Sequence, residues 1–313
     1  CIVTSDITRP VPNKIILPSL LEILEECGIS KEKITILIGT GIHRPSTDDE
    51  LVTMFGEEIV NNYRIVSHRS KEKDLLSFLG YTTRNTPIWV NSLFVNSDLK
   101  ITISLVEPHL MAGYSGGRKA ICPGVSGLET MKILHGPTIM ENPRATEGIL
   151  EGNPFHDEAL QIARKAGVDF SVNVTINQDR KLTGVFAGAL EKAHLAGVQF
   201  VEQQVKVTFP EPVEVVLTTS AGYPLDLTFY QAIKGLTGAL PVVKEAGTII
   251  LAAQCSEGIG SPEFSRLIQE IDNPEEFLAL IKQPDFFVVD QWMIEELCKV
   301  IRKADVFLFT EGI

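Results

Sequence analysis

The chain has 313 residues, of which 44% are hydrophobic and 22% are charged, a composition typical of a globular protein of about two domains. Its formal net charge of −12 argues against nucleic acid or an anionic membrane surface as the main partner. No apolar run is long enough for a transmembrane helix, and the five cysteines lack metal or disulfide spacing, which predicts a cytoplasmic protein with reduced thiols.

Apolar, β-rich runs alternate with helical patterns along the chain, which predicts an α/β fold with mostly parallel strands. The first strand is already under way at the first residue, so we expect the chain to be a fragment. The predicted strands cover residues 2–4, 34–38, 99–106, 170–174, 182–186, 213–217, 247–252 and 305–309. The predicted helices cover residues 18–27, a short stretch from 47, 153–166, 190–205, 229–235 and a stretch after 290.

A short proline-containing segment, Thr208–Pro212, is the best candidate for a linker. The alternation of strands and helices starts again after it. We therefore predict two α/β domains, one over residues 1–208 and one over residues 209–313.

Polar side chains follow the C-terminal ends of three predicted strands. Asp6 and Arg9 follow the first strand, His43 follows the second, and His109 follows the strand that begins near residue 99. Open α/β sheets bind ligands in a crevice at this edge, so we expect the four side chains to converge there. A single loop histidine is more often a surface residue than a catalyst, but three strand ends with such groups favour a site.

The glycine-rich segment Gly113–Lys119 comes next. Its backbone N–H groups and Lys119 have the chemistry of a phosphate cradle, although the spacing is not that of a P-loop. A glycine-rich turn with a solvated lysine is an equal alternative. Lys119 is also a candidate for covalent attachment, because a desolvated lysine becomes nucleophilic.

Three further features have both a functional and a structural interpretation. His135 is a candidate ligand for nickel or zinc, but no second ligand stands three or four residues away, so alone it is better explained as structural. Gln231 and Lys234 share a helix face and could together bind a carboxylate. Alternatively, they simply belong to the surface of a helix end, where a lysine is favoured by the helix dipole. Trp292 lines a pocket or belongs to the core. The histidines that we interpret as structural are His68, His156 and His194.

Taken together, the motifs resemble the signature of the nickel-pincer lactate racemase family. The matching segments are Ser5–Pro10, Gly39–Pro45, Glu107–Lys119 and Tyr230–Gly235, in the same order and with similar spacing. The resemblance spans nearly the whole chain, and the histidine followed by the glycine–lysine segment is its most specific part. Members of the family are longer at both ends.

The resemblance implies a nickel cofactor, the pyridinium-3-thioamide-5-thiocarboxylic acid mononucleotide, known as the nickel-pincer nucleotide. One thioamide arm of this cofactor would be joined covalently to Lys119. Two sulfurs and a pyridinium carbon would hold the nickel, and His135 would fill the fourth position, which explains why no ordinary metal motif is visible. The other residues assigned to cofactor binding by the resemblance are Ser115, Gly116, Gly117 and Asp6, and Asp6 would support either the cofactor or Arg9.

The resemblance also assigns residues to the substrate. His43 and His109 would form the acid–base pair, and Arg9 and Lys234 would hold a carboxylate. Gln231 and Trp292 would line the pocket. Because Arg9 and Lys234 lie in different predicted domains, we expect the active site in the interdomain cleft, with the first domain binding the cofactor and the second contributing to substrate binding.

This chemistry suits racemisation or epimerisation of a small 2-hydroxy acid. The C2 hydrogen is poorly acidic, and its removal as hydride leaves a planar 2-keto acid that can be reduced from either face. Two histidines on opposite sides would handle the hydroxyl proton. Lactate or a related hydroxy acid is the expected substrate, and a larger hydroxy acid or a sugar acid is the alternative. A nucleotide-binding module without catalysis is a third hypothesis. Cofactor-biosynthesis proteins are expected partners.

Overall fold

The computed structural model describes residues 1–223, 225–271, 273–283 and 286–313. The chain forms two compact units. Unit 1 contains Cys1–Leu134 and Arg144–Lys206, and unit 2 contains His135–Pro143 and Val207–Ile313. The stretch His135–Pro143 is thus grouped with the residues that follow 206, whereas the sequence alone placed it in a domain over 1–208. The functional division into a cofactor domain and a substrate domain stays a prediction.

Strands and helices alternate along the described residues. The strands are β1 Ile2–Ser5, β2 Thr35–Gly39, β3 Arg64–Ser67, β4 Leu76–Tyr81, β5 Pro87–Asn91, β6 Ile101–Leu105, β7 Pro108–His109, β8 Gly113–Tyr114, β9 Phe170–Ile176, β10 Leu182–Gly188, β11 Val213–Thr219, β12 Val243–Ala252 and β13 Ala304–Phe309. The helices are α1 Asn13–Glu26, α2 Asp48–Phe55, α3 Glu57–Asn62, α4 Ser92–Val95, α5 Leu128–Leu134, α6 Pro137–Met140, α7 Pro154–Ala166, α8 Leu190–Val205, α9 Phe229–Ala239, α10 Pro262–Gln269, α11 Pro274–Ile281 and α12 Gln291–Ile301.

Unit 1 is built on a six-stranded sheet with the order β10-β9-β6-β1-β2-β3. Neighbouring strands are parallel except for the edge pair β9 and β10. The predicted α/β class with mostly parallel strands is therefore confirmed. Strand β1 lies between β6 and β2, so the three strand ends that were predicted to carry polar groups are neighbours. The main core packs α1 to α3 against this sheet, through residues that include Leu17, Leu21, Ile36, Ile38, Phe55 and Ile103.

Local sequence signals explain where several helices begin and end. Thr47 and Glu50 form the predicted capping box at the start of α2. Asn153 caps α7, which ends at Gly167 in the left-handed conformation. The prediction that α9 ends at Gly235 is wrong, because that helix continues for another turn. A Cβ at Gly235 would lie 2.6 Å from the carbonyl oxygen of Thr219, so this glycine permits close helix–strand packing instead of ending the helix.

Unit 2 contains the parallel sheet β11-β12-β13. Helices α9 and α12 pack on it and bury residues such as Ile249 and Leu251. The opposite face exposes large apolar side chains, because alternate strand residues point away from the helices. The exposed residues are Val215, Leu217, Phe307 and Phe309.

None of the helices in the part of the chain that the structure describes is both long and apolar enough to cross a membrane.

Candidate active site

Asp6 and His43 form a hydrogen-bonded pair at the adjacent ends of β1 and β2. The Nδ1 atom of His43 lies 2.6 Å from Oδ2 of Asp6. The other carboxylate oxygen of Asp6 accepts from the backbone N–H and the hydroxyl of Thr8. Burial alone would raise the pKa of Asp6, but the bonds from His43 and Thr8 outweigh it and hold the pKa below its ordinary value. Asp6 is therefore a carboxylate that orients His43, a partner that the sequence did not reveal.

Arg9 is paired with Glu107, which follows β6. The Nε atom of Arg9 lies 3.6 Å from a carboxylate oxygen of Glu107. Ser115 fixes the Glu107 backbone, because the Glu107 N–H donates to the Ser115 hydroxyl at 3.0 Å and the Ser115 N–H donates to the Glu107 carbonyl at 2.8 Å. Ser115, which lies in the glycine-rich segment, thus fixes the backbone of the residue that pairs with Arg9.

Lys119 and His109 both lie near the ring of Phe155. The Nζ atom of Lys119 is 5.1 Å from the centre of that ring, and the ring centre of His109 is 6.5 Å from it. Phe155 is fully buried in the first turn of α7. The Asn153 side chain caps this turn and donates to the carbonyl of Met111, which anchors the helix start to the segment after His109. Phe155 therefore forms a common floor for the predicted attachment lysine and one predicted acid–base histidine.

The two histidines have different hydrogen-bond partners at Nδ1. In His43 this nitrogen faces a carboxylate, which requires a proton on Nδ1 and leaves Nε2 as an acceptor. In His109 it accepts from the N–H groups of Met111 and Ala112 at the long distances of 3.4 and 3.3 Å. A neutral His109 then carries its proton on Nε2. The hydrogen bonds therefore favour different tautomers of the two neutral rings.

The glycine-rich turn is packed tightly against α8. Gly116 and Gly117 have positive φ angles of 84° and 50°. A Cβ at Gly117 would lie 2.7 Å from the side chain of His194, and one at Gly116 would lie 2.7 Å from Val106. The Gly117 N–H donates to the Asn173 side chain at 2.8 Å. These contacts favour a role in shaping the turn before Lys119, and cofactor binding by Ser115, Gly116 and Gly117 stays a prediction.

Arg118 supports the same turn from within the core. It is 1% exposed, and its guanidinium donates to the Ala112 carbonyl at 2.7 Å and lies 2.9 Å from Nε2 of His194. No carboxylate among the described residues pairs with it, and burial lowers the pKa of Arg118 to about 9. Burial, reinforced by the Arg118 charge, also lowers the pKa of His194 well below its ordinary value, so His194 is neutral.

Unit 2 holds the remaining predicted residues. His135 is buried, and its ring centre lies 4.9 Å from that of Trp292 on α12. The Trp292 indole N–H donates to the hydroxyl of Tyr230 at 3.1 Å, so its indole is fixed at both ends. On α9, Lys234 Nζ donates to Oε1 of Gln231 at 2.5 Å. His135 and Trp292 are thus neighbours, as are Gln231 and Lys234.

The donor chemistry of the chain fits a cofactor that brings its own metal ligands. Within the described ranges, no three histidine, cysteine, aspartate or glutamate side chains come together as a metal site. A single imidazole at His135 suits one coordination position, and the Lys119 amine beside an aromatic ring suits a tether to a planar group. The residues present therefore fit the chemistry of the nickel-pincer nucleotide, and the roles of His135 as nickel ligand and Lys119 as attachment residue stay predictions.

Several residues of these clusters escaped the sequence reasoning. Glu107 belongs to one of the matching sequence segments but was assigned no role. Nothing in the local sequence pattern indicated that the Phe155 ring lies near Lys119. His194 was interpreted as structural, which its contacts support, although its link to the glycine turn required the fold. Glu295 on α12 was also missed. It is fully buried with neither carboxylate oxygen hydrogen-bonded, and burial raises its pKa to about 8, although the Lys299 charge acts in the opposite direction.

Comparison with protein families gives two matches along the chain. Residues 1–148 match the model described as the lactate racemase N-terminal domain. Residues 209–313 match the model described as the lactate racemase C-terminal domain.

Individual relatives agree with these matches. A lactate racemase from Thermoanaerobacterium thermosaccharolyticum is 37% identical over 99% of this chain and 73% of its own length. One from Lactiplantibacillus plantarum is 37% identical over 96% of this chain and 71% of its own length. The structure of the T. thermosaccharolyticum lactate racemase apoprotein superposes with a TM-score of 0.95 at 36% identity, covering 99% of this chain and 75% of that one. A crystal structure of a Thermotoga maritima protein, at 21% identity and a TM-score of 0.78, covers 100% of this chain and 83% of its own, and shares the fold.

Proposed function

The chain belongs to the lactate racemase family of isomerases, and from that premise we propose that it racemises lactate or a closely related small 2-hydroxy acid. The family generally uses a nickel-pincer nucleotide, and we extend the proposal to that cofactor, tethered here through Lys119. The observation that supports the proposal most directly is the pair of histidines in complementary hydrogen-bonding states, one of which shares the Phe155 ring with Lys119.

The acid–base chemistry is assigned to His43 and His109. His43, with Nδ1 held by Asp6, would accept the substrate hydroxyl proton at Nε2, and the Asp6 carboxylate would stabilise the imidazolium that forms. His109 would return a proton from Nε2 to the oxygen as an imidazolium, when the keto acid is reduced on the other face. In that state Nδ1 also carries a proton and no longer accepts from Met111 and Ala112. In the reverse direction the two residues would exchange roles.

The remaining predicted residues bind and orient. Nη1 of Arg9 donates to the Thr8 carbonyl and its Nε faces Glu107, so Nη2 is available to a substrate carboxylate. Lys234 and Gln231, which contact each other, would provide the second set of polar groups, and Trp292 beside His135 would form an apolar wall.

When bound, the nickel-pincer nucleotide supplies hydride transfer to and from the C2 carbon. The chain would contribute the Lys119 amine for its attachment and the His135 imidazole as nickel ligand. The proteins that synthesise this cofactor would be transient partners. A larger hydroxy acid or a sugar acid is the second candidate substrate, since Arg9 and Lys234 recognise a carboxylate and nothing beyond it. The family assignment as an isomerase argues against a module that only binds nucleotides.

The test is a screen of pure enantiomers of lactate, 2-hydroxybutyrate, malate and a sugar acid with protein made alongside the cofactor-synthesis proteins. We expect that the pure enantiomers of at least one of these acids are converted to a racemic mixture, and chiral chromatography measures this conversion. The Lys119→Ala protein prepared in the same way is the negative control. Absence of exchange for every acid by cofactor-loaded protein would refute the proposal.

A further inference from the structure

The surroundings of Arg9 are richer in negative than in positive charge. Glu107 contacts its guanidinium at 3.6 Å, and Asp6 precedes it by three residues in the same turn. The pKa of Glu147 is raised, mainly by its partial burial and in addition by the nearby negative charge of Glu107. Arg44, the other arginine near Asp6, is committed to Glu50 through two hydrogen bonds at 2.9 and 2.6 Å. The Arg9 guanidinium is thus already paired with the Glu107 carboxylate, and Asp6 lies in the same turn.

This balance changes when a substrate arrives. The Arg9 charge is already compensated by Glu107, so a bound carboxylate leaves a net negative charge at this point. A second anionic group on the substrate adds to this negative charge, and Arg44, the other arginine near Asp6, is already paired with Glu50. Lys119 would not help, because the proposed thioamide bond to the cofactor would remove the charge of its amine. At an effective dielectric constant of about 20, like charges about 10 Å apart change an equilibrium by roughly tenfold.

Glu107 is also held firmly enough to act selectively. Both its backbone N–H and its carbonyl are bonded to Ser115, and it precedes His109 by two residues. Its side chain is 41% exposed, so it is accessible to a solute. We propose, resting on the racemase function proposed above, that Glu107 is a specificity-determining residue that excludes hydroxy acids with a second anionic group and restricts the enzyme to monoanionic substrates.

The experiment compares two acids of the same size that differ by one charge. Malate carries two carboxylates, and β-malamate, its mono-amide at the carbon remote from the hydroxyl, carries one. The ratio of their kcat/KM values is measured with cofactor-loaded wild-type protein, Glu107→Gln and the control Glu191→Gln. Glu191 is a fair control because it is also paired with an arginine in unit 1 and is 42% exposed. Isothermal titration of both acids into the cofactor-free Lys119→Gln chain, with and without Glu107→Gln, gives the corresponding ratio of affinities in the absence of the Lys119 charge.

We expect the wild-type protein and Glu191→Gln to prefer β-malamate by about tenfold or more, and Glu107→Gln to narrow this preference by about tenfold. An unchanged ratio in Glu107→Gln, in turnover or in binding, overturns the proposal and leaves Glu107 as a support for Arg9. If loaded protein turns over no hydroxy acid, the proposed racemase function fails, and the ratio of affinities still decides the role of Glu107.

Discussion

The Nδ1 atom of His43 lies 2.6 Å from the carboxylate of Asp6, a residue at the end of the neighbouring strand. This contact determines which nitrogen of His43 remains for chemistry. It also places the His43 ring against a carboxylate whose pKa is below its ordinary value.

Replacing Asp6 with asparagine should remove the stabilisation of the charged His43 ring while keeping the side-chain volume. We expect kcat/KM to fall by about a hundredfold for both enantiomers, within the range of general acid–base contributions. Chiral assays of Asp6→Asn against the wild type measure this. Asp6→Glu, which restores the charge, should recover part of the loss. Full activity in Asp6→Asn would contradict the orienting role.

The same substitution has a consequence for stability against pH. The folded pKa of Asp6 is lowered, so its contribution is present above the ordinary aspartate pKa of about 4 and is lost as the pH falls through the folded value. Urea unfolding at pH 7 should show Asp6→Asn to be less stable than the wild type. The two proteins should converge in acid. A difference independent of pH would mean that packing, and not the charge, is responsible.

The different Nδ1 partners of the two histidines predict kinetic asymmetry between enantiomers. To act as a base at Nε2, His109 must give up its role as acceptor for the N–H groups of Met111 and Ala112, whereas His43 needs no such change. Single-turnover conversion to the keto acid should therefore be faster for one pure enantiomer than for the other. His43→Ala should suppress the fast enantiomer and His109→Ala the slow one. Equal effects of both variants on both enantiomers would refute the assignment.

Attachment of the cofactor at Lys119 is tested by mass. Lys119→Ala protein, made with the cofactor-synthesis proteins, should lack the adduct of mononucleotide size that we expect in the wild type. Lys119→Arg keeps a cation near Phe155 but cannot form the thioamide, so it should also lack the adduct. Lys132→Ala, which removes a lysine paired with Glu129 in the same unit, is the control and should retain it. A normal adduct in Lys119→Ala would place the tether elsewhere.

Glu295 is predicted to destabilise the fold at neutral and alkaline pH. Its folded pKa of about 8 is above the unfolded value, so the folded state binds more protons and stability is lost as the pH rises from about 4.5 to 8. Glu295→Gln removes this penalty and should raise the free energy of unfolding at pH 8 by on the order of 4 kcal/mol. Urea unfolding at pH 5 and pH 8 measures the difference. The exposed Glu245→Gln should change little at either pH.

The sequence predicted which residues lie at the edge of the sheet better than it predicted which side chains contact each other there. Polar residues after buried strands placed Asp6, Arg9 and His43 at one sheet edge, because parallel strands share the direction of their C-terminal ends. Which side chains pair there depends on strand order and on distances of a few ångströms, which hydrophobic periodicity does not encode. The pairing of Arg9 with Glu107 joins residues 98 positions apart, and only the order β6-β1-β2 brings them together.

Helix ends were predictable where a cap was present and less so elsewhere. Thr47 and Asn153 marked true helix starts through their side-chain bonds to the backbone. Gly235 misled because a glycine in a helix has two physical explanations, a C-terminal stop or a close backbone contact. A single sequence does not distinguish these, and the proximity of Thr219 decides between them.

The tight fit of Gly116 and Gly117 against Val106 and His194 has a consequence for how this gene can vary. Every missense change at a glycine codon adds at least a Cβ. No single amino-acid substitution at Gly116 or Gly117 should therefore leave the turn before Lys119 undisturbed. In a saturation library, codons 116 and 117 should therefore be among the least tolerant of the chain. Relief at codon 117 would require a simultaneous smaller residue at 194, and a pairwise library should reveal this as sign epistasis between two positions 77 codons apart.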